Sequence, residues 1–200
     1  MPKINASTVA EHRAQQREAL IRAAIDILVN EGAAAVTPAA VGARAGLARS
    51  SVYQYFDSSA ALLATITEEA FRRSDEALSR ALAAANGPLE RVEAFFQESL
   101  RLGAEGAHQP AVALMNAGLP PACQQRLMEL HLEQVEPFRA AVRELGVPEP
   151  ALTADLIAGM LHTALAAVEN GTPLDTVTQR TLALVRRCLG SRATTRRQER

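Results

Sequence analysis

The stretch TPAAVGARAGLARSSVYQYF, residues 37–56, decides the fold. Thr37 is a good helix cap, and Pro38 fits a first helical position because the N–H that proline lacks has no partner there. A short helix is therefore predicted from Pro38 to about Ala45. Gly46 ends it, since glycine adopts turn angles that other residues avoid. Leu47 and Ala48 complete a tight turn, and a second short helix is predicted from Arg49 to about Tyr55. Two short helices meeting at such a turn make a helix-turn-helix unit. Val41, Ala45, Leu47, Val52 and Phe56 supply its inward face. Arg49, Ser50, Ser51 and Gln54 keep the outward face of the second helix polar and short-chained, as entry into a major groove requires. Tyr53 and Tyr55 offer hydroxyls to phosphates or rings to sugars.

Upstream, Leu20, Ala24, Ile27 and Leu28 fall at i, i+4, i+7 and i+8, one apolar stripe that Ile21 and Ile25 widen. Gly32 is a natural stop for that helix. The first dozen residues are polar and predict a frayed start. Downstream, Asp57-Ser58-Ser59 offers caps for a long helix to about Ala84, with Leu63, Ile66, Ala70 and Ala77 on one side. Pro88 opens a helix to about Ala104, a loop surrounds His108, and a short helix covers about 110–117. The helix over about 122–145 contains Pro137, where a kink or a split is predicted. Helices over about 151–169 and 173–189 complete an all-α chain of about nine helices.

The composition agrees. Of 200 residues, 48% are hydrophobic and 22% charged, which excludes disorder over the whole length. Alanine, the best helix former, occurs 40 times, and aromatics are only 4%. Two cysteines, Cys123 and Cys188, are too few for a disulfide scaffold and form no CxxC spacing. No run of 18 apolar residues and no signal-peptide core is present, so a soluble cytoplasmic chain without a membrane partner is predicted. HExxH, GxSxG, P-loop and GxGxxG patterns are absent. His12, His108, His131 and His162 make no local constellation with carboxylates. No catalytic residue, metal ligand or cofactor is predicted, and the chain is not expected to be an enzyme.

The net charge of −1 does not advertise a nucleic-acid partner, and its distribution is more informative. Residues 37–56 carry Arg44 and Arg49 and no acid. Residues 61–190 sum to −5, from 11 basic and 16 acidic side chains, and the tail 191–200 sums to +3. A local cationic face on an acidic body is compatible with DNA binding at one end.

The segment over about 17–66 resembles the tetracycline-repressor-like (TetR) family of bacterial regulators. The matching features are Arg17-Glu18-Ala19-Leu20-Ile21-Arg22, Gly32, Val36-Thr37, Val41, the run Ala45 to Phe56, and Leu62-Leu63. The resemblance implies a helix-turn-helix domain at 1–56 (motif about 37–56), an effector-binding and dimerisation domain at 57–190, and a basic disordered tail at 191–200. It implies that Thr37, Arg44, Arg49, Ser50, Ser51, Tyr53, Gln54, Tyr55 and Ser59 face double-stranded DNA. Arg49 stands as a base reader or a phosphate clamp. Many members carry a lysine where this chain has Ser59. Losing that cation makes the salt slope shallower by about 0.9, while the hydroxyl still donates a neutral hydrogen bond.

The last two helices are apolar on most sides. A second copy covering them, as a four-helix bundle, would use Leu156, Met160, Leu161, Ala164, Val168, Leu182 and Val185. The alternative is burial within one subunit. A small-molecule effector is expected among Phe95, His108, Met115, Asn116, Met128, His131 and His162, with Phe96 and Glu98 nearby. Core packing is the competing role for the phenylalanines, methionines and histidines. Asn116 stands out because a buried amide needs a partner. The function implied is a ligand-responsive regulator, a repressor released from a palindromic operator by a hydrophobic effector. The alternative is a helical ligand-binding or protein-interaction module whose helix-turn-helix no longer binds DNA.

Overall fold

The computed structural model describes residues 6–190, and the predicted tail 191–200 lies outside them. Among the described residues there are nine α-helices and no strand. They are α1 (Ala6–Glu31), α2 (Pro38–Arg44), α3 (Arg49–Val52), α4 (Ser59–Ala83), α5 (Pro88–Ala104), α6 (Gln109–Met115), α7 (Pro121–Glu144), α8 (Pro150–Glu169) and α9 (Leu174–Gly190). Of the polar start predicted to fray, the part from Ala6 onward is helical, and residues 1–5 lie outside the described residues. Pro137 does not split α7. Pro137 lies on the exposed side, where water can serve the carbonyl it leaves unbonded, while Phe138, Ala141 and Val142 are buried beside it.

The chain forms two compact units. One contains the described residues up to Ala70 together with Gln109–Glu129. The other contains Phe71–His108 and the described residues from Leu130 onward. In the first unit the predicted stripe of α1 is the core: Leu20, Ala24, Ile27 and Leu28 are 1% exposed or less. Val41, Val52 and Phe56 close the helix-turn-helix over its own interior, with Leu62 and Ile66 of α4 also buried. α6 packs against α1 in this unit, and Leu114 is its buried residue. Gly32 (φ 87°) ends α1 by accepting the left-handed conformation that a side chain resists.

The second unit packs α5, α8 and α9 with the adjoining parts of α4 and α7. Phe95 stacks on Phe138 with ring centroids 5.2 Å apart, and Phe96 lies 6.0 Å from the same ring. α5 and α8 approach so closely at Gly103 that a Cβ there would collide with Leu165. α8 is the one helix among the described residues long and apolar enough, by length and composition, to cross a bilayer. Its apolar character has two destinations. Ala154, Ile157, Leu161 and Ala164 enter the core of this unit, while Leu152 and Leu156 are 52% and 66% exposed.

Candidate nucleic-acid interface

The turn linking α2 and α3 is set by two glycines. Gly46 adopts φ 71°, and its N–H donates to the Ala43 carbonyl. Gly42, which sequence reasoning passed over, is where the helices touch. A Cβ there would stand 2.8 Å from the Leu47 carbonyl oxygen and 3.0 Å from a Val52 methyl. Thr37 caps α2, its Oγ1 accepting from the Ala40 N–H at 3.2 Å. The residue is exposed, so its own O–H is left to donate outward.

α3 is shorter than predicted. It ends at Val52, and Tyr53 to Tyr55 continue as a turn in which the Gln54 and Tyr55 N–H groups donate to Ser51 and Val52. Arg49, Ser50, Tyr53 and Gln54 are exposed and Ser51 is half-buried. The Arg49 guanidinium lies 5.8 Å from the Tyr53 ring centroid and donates to its hydroxyl oxygen at 3.3 Å. This outward, polar, acid-free face has the shape and chemistry to enter a groove.

Two residues assigned to DNA have other work inside this unit. Arg44 pairs with both Asp26 and Glu31 of α1, which hold it charged but cancel its field locally. The Tyr55 O–H donates to Gln16 Oε1 of α1, and its ring is half-buried. A phosphate has no proton to offer, so a hydroxyl whose hydrogen is already committed is a poor phosphate partner. We therefore expect Tyr55→Phe to cost about 1 kcal/mol of stability in urea unfolding, through loss of that bond. Its effect on duplex affinity should be small; a large affinity loss at unchanged stability would restore the hydroxyl to DNA. At the start of α4 the cap is Ser58, whose Oγ accepts from the Ala61 N–H at 3.0 Å, leaving Ser59 exposed and unburdened.

The effector candidates belong to both units. Phe95 and Phe96 are core residues of the second unit. Glu98 is ion-paired with Arg101. His108 is largely buried, with Nε2 3.1 Å from the Ser99 carbonyl, and burial pulls its pKa below the usual histidine range. Burial, and then Arg139, does the same to His131, while His162 is exposed. Met115, Asn116 and Met128 belong to the first unit and are exposed, so the buried-amide argument for Asn116 lapses. Among the described residues no group of three or more His, Cys, Asp or Glu is placed to hold a metal ion.

The dimer candidates divide. Leu161, Ala164, Leu182 and Val185 are 9% exposed or less and pack within their own unit, because the inner faces of α8 and α9 are what closes that core. Val168 and Met160 are half-buried. Outside lies an open groove of about 580 Å³, lined by Leu156, Gly159, Met160, Thr163, Arg180 and Leu184 among others.

Residues 20–66 match the family model described as bacterial regulatory proteins, tetR family. The chain carries a tetR-family regulatory domain. The fold of the whole is shared too. A TetR-like transcriptional regulator from Rhodococcus sp. RHA1 superposes with a TM-score of 0.74 at 18% identity, covering 88% of this chain and 97% of that one. AibR, solved with isovaleryl coenzyme A and operator DNA, gives 0.72 at 14% identity, covering 84% and 97%. FadR from Bacillus subtilis, solved with stearoyl-CoA, gives 0.70 at 18% identity, covering 84% and 96%. No curated protein matches by sequence. At these identities the likeness shows the fold, and the tetR-family domain rests on its own residues.

Proposed function

We propose that this chain is a homodimeric transcription regulator, a repressor released from a palindromic operator by a small hydrophobic effector. The observation that carries the proposal is the exposed Arg49–Gln54 face, presented by a helix-turn-helix inside the tetR-family domain. Thr37, Arg49, Ser50, Ser51, Tyr53, Gln54 and Ser59 are its DNA-facing groups. Arg44 and Tyr55 hold the shape from behind. One such face reads only a few base pairs. Two held about 34 Å apart read a palindrome across one turn of duplex. The uncovered apolar outer faces of α8 and α9 support pairing of two copies, since a stripe with Leu152, Leu156 and Leu184 exposed calls for a cover. An effector acts by preferring one conformation of the dimer over the other. Because two proteins of this fold are complexes with acyl-coenzyme A thioesters, such thioesters head the compounds to try.

The test is selection of bound duplexes from a random pool by the full chain, followed by attempted release with acyl-CoA thioesters and other hydrophobic organic molecules. A recovered palindrome, bound with steep salt dependence and released by one of them, is the expected result. Retention of no sequence above the unselected background would leave the helix-turn-helix as a structural relic.

A further inference from the structure

The turn after α3 is clasped by α1. Arg13, Gln16 and Arg17 stand at i, i+3 and i+4, so they share one side of that helix. All three meet the segment Tyr53–Phe56. The Arg13 guanidinium carbon lies 5.8 Å from the Tyr55 ring centroid, that of Arg17 5.7 Å from the Phe56 ring, and Gln16 Oε1 accepts from the Tyr55 O–H. With Arg49 over Tyr53, three consecutive aromatic positions are each matched to an arginine. Arg13 and Arg17 are exposed, and among the described residues neither is ion-paired. Arg44, the other cation of the 37–56 stretch, is cancelled by two carboxylates. The cations left uncancelled beside the groove-entering face are therefore Arg49, Arg13 and Arg17, and two of the three come from outside the helix-turn-helix.

An arginine resting on a ring keeps its edge free. The ring attracts the cation through its quadrupole and limits its rotamers, while the N–H donors at the rim still point to solvent. Such a group is pre-oriented for an anionic oxygen at little further entropic cost.

We infer that Arg13 and Arg17 of α1 form a phosphate-backbone clamp, held by Tyr55 and Phe56, that fixes the register of the recognition face on duplex DNA. The clamp rests on the DNA-binding reading above. It gives α1 a positioning role that carries no sequence information, since phosphate contacts orient and base contacts specify. It also supplies cationic contacts in a domain that has Ser59 in place of a lysine.

Counterion release makes the clamp measurable. Each phosphate neutralised contributes about −0.9 to the slope of log affinity against log salt concentration. A dimer carries each substitution twice, so Arg13→Gln should make the slope shallower by about 1.8, and Arg17→Gln by the same amount. The probes are the selected palindrome and a mixed-sequence duplex of equal length. Both should lose slope alike, leaving their affinity ratio within twofold. Arg13→Lys keeps the charge and should keep the slope. Arg186→Gln, on α9 and paired with Glu93, serves as the control with an unchanged slope. Far-ultraviolet circular dichroism and gel filtration establish that each variant is folded. A wild-type slope in both glutamine variants would overturn the clamp while leaving the regulator reading intact. A shallow slope in Arg13→Lys would also overturn it, because charge would then not be the cause. Wild-type protein that binds neither duplex would instead overturn the DNA-binding reading itself.

Discussion

Leu156→Arg should break the proposed dimer into folded monomers. Leu156 is 66% exposed on the outer face of α8, in line with Leu152 and Met160 at four-residue intervals, and it lines the groove between α8 and α9. Within one copy, an arginine at this largely exposed position can turn its guanidinium to solvent, so the core is left intact. Between two copies it places a pair of cations in an apolar contact, where burying an unpaired charge costs several kcal/mol. Light scattering should then report about 21.4 kDa, with an unchanged helical spectrum. Affinity for a palindromic duplex should fall by about 10²–10⁴, because the second recognition face no longer binds at high effective concentration. A variant that stays dimeric would remove the α8–α9 outer face from the interface. Leu161→Arg would be an uninformative substitute, since Leu161 is buried in its own unit and the charge would unfold it.

Gly42→Ala should damage DNA binding more than Gly46→Ala, its neighbour in the tetR-family domain. The new Cβ would stand 2.8 Å from a backbone oxygen, that of Leu47, which cannot swing aside as a side-chain end can. The Leu47 N–H also donates to the Gly42 carbonyl at 2.8 Å, so the turn is pinned from both sides. Relief requires α3 to move off α2. Overpacking of this kind costs about 1–3 kcal/mol. If the bound form needs the native turn, the same energy appears as about 5- to 150-fold weaker duplex binding. Urea unfolding and a duplex titration measure the two together. Gly46→Ala is the comparison. Nothing stands within 4 Å of its Cβ position, so only the strain of φ 71° is felt, about 1–2 kcal/mol. Wild-type affinity in Gly42→Ala would show that the close approach of α2 and α3 is not needed for binding.

The helix-turn-helix was legible in the sequence because its rules are local. A threonine cap, a proline at the first helical position, a glycine at the turn and apolar residues at helical spacing each act within a few residues. The stripe Leu20, Ala24, Ile27 and Leu28 was legible for the same reason, and all four residues are buried. What escaped depended on partners distant along the chain. Nothing near Tyr55 indicates that Gln16, 39 residues away, accepts a hydrogen bond from its hydroxyl, or near Arg44 that Asp26 and Glu31 neutralise it. Gly42 lay inside a helix and carried no turn signal. In α8, apolar residues on all sides announced burial but could not be sorted into an inner and an outer face. Leu161 and Leu156 therefore read alike, although one is core and the other is surface. The effector candidates rest on side-chain chemistry alone, which carries no information about which unit of the fold each residue joins.

The five phenylalanines, Phe56, Phe71, Phe95, Phe96 and Phe138, are all at most 4% exposed, in a chain whose commonest residue by far is alanine. Small side chains let helices lie close but give each pair little to grip, so the grip is concentrated in a handful of rings. Tolerance to change is correspondingly uneven. Many alanine positions are open to drift, whereas truncating any one of these rings would empty a void with few neighbours large enough to collapse into it. Divergence in such a lineage would leave a sparse set of fixed aromatic landmarks amid freely varying small residues.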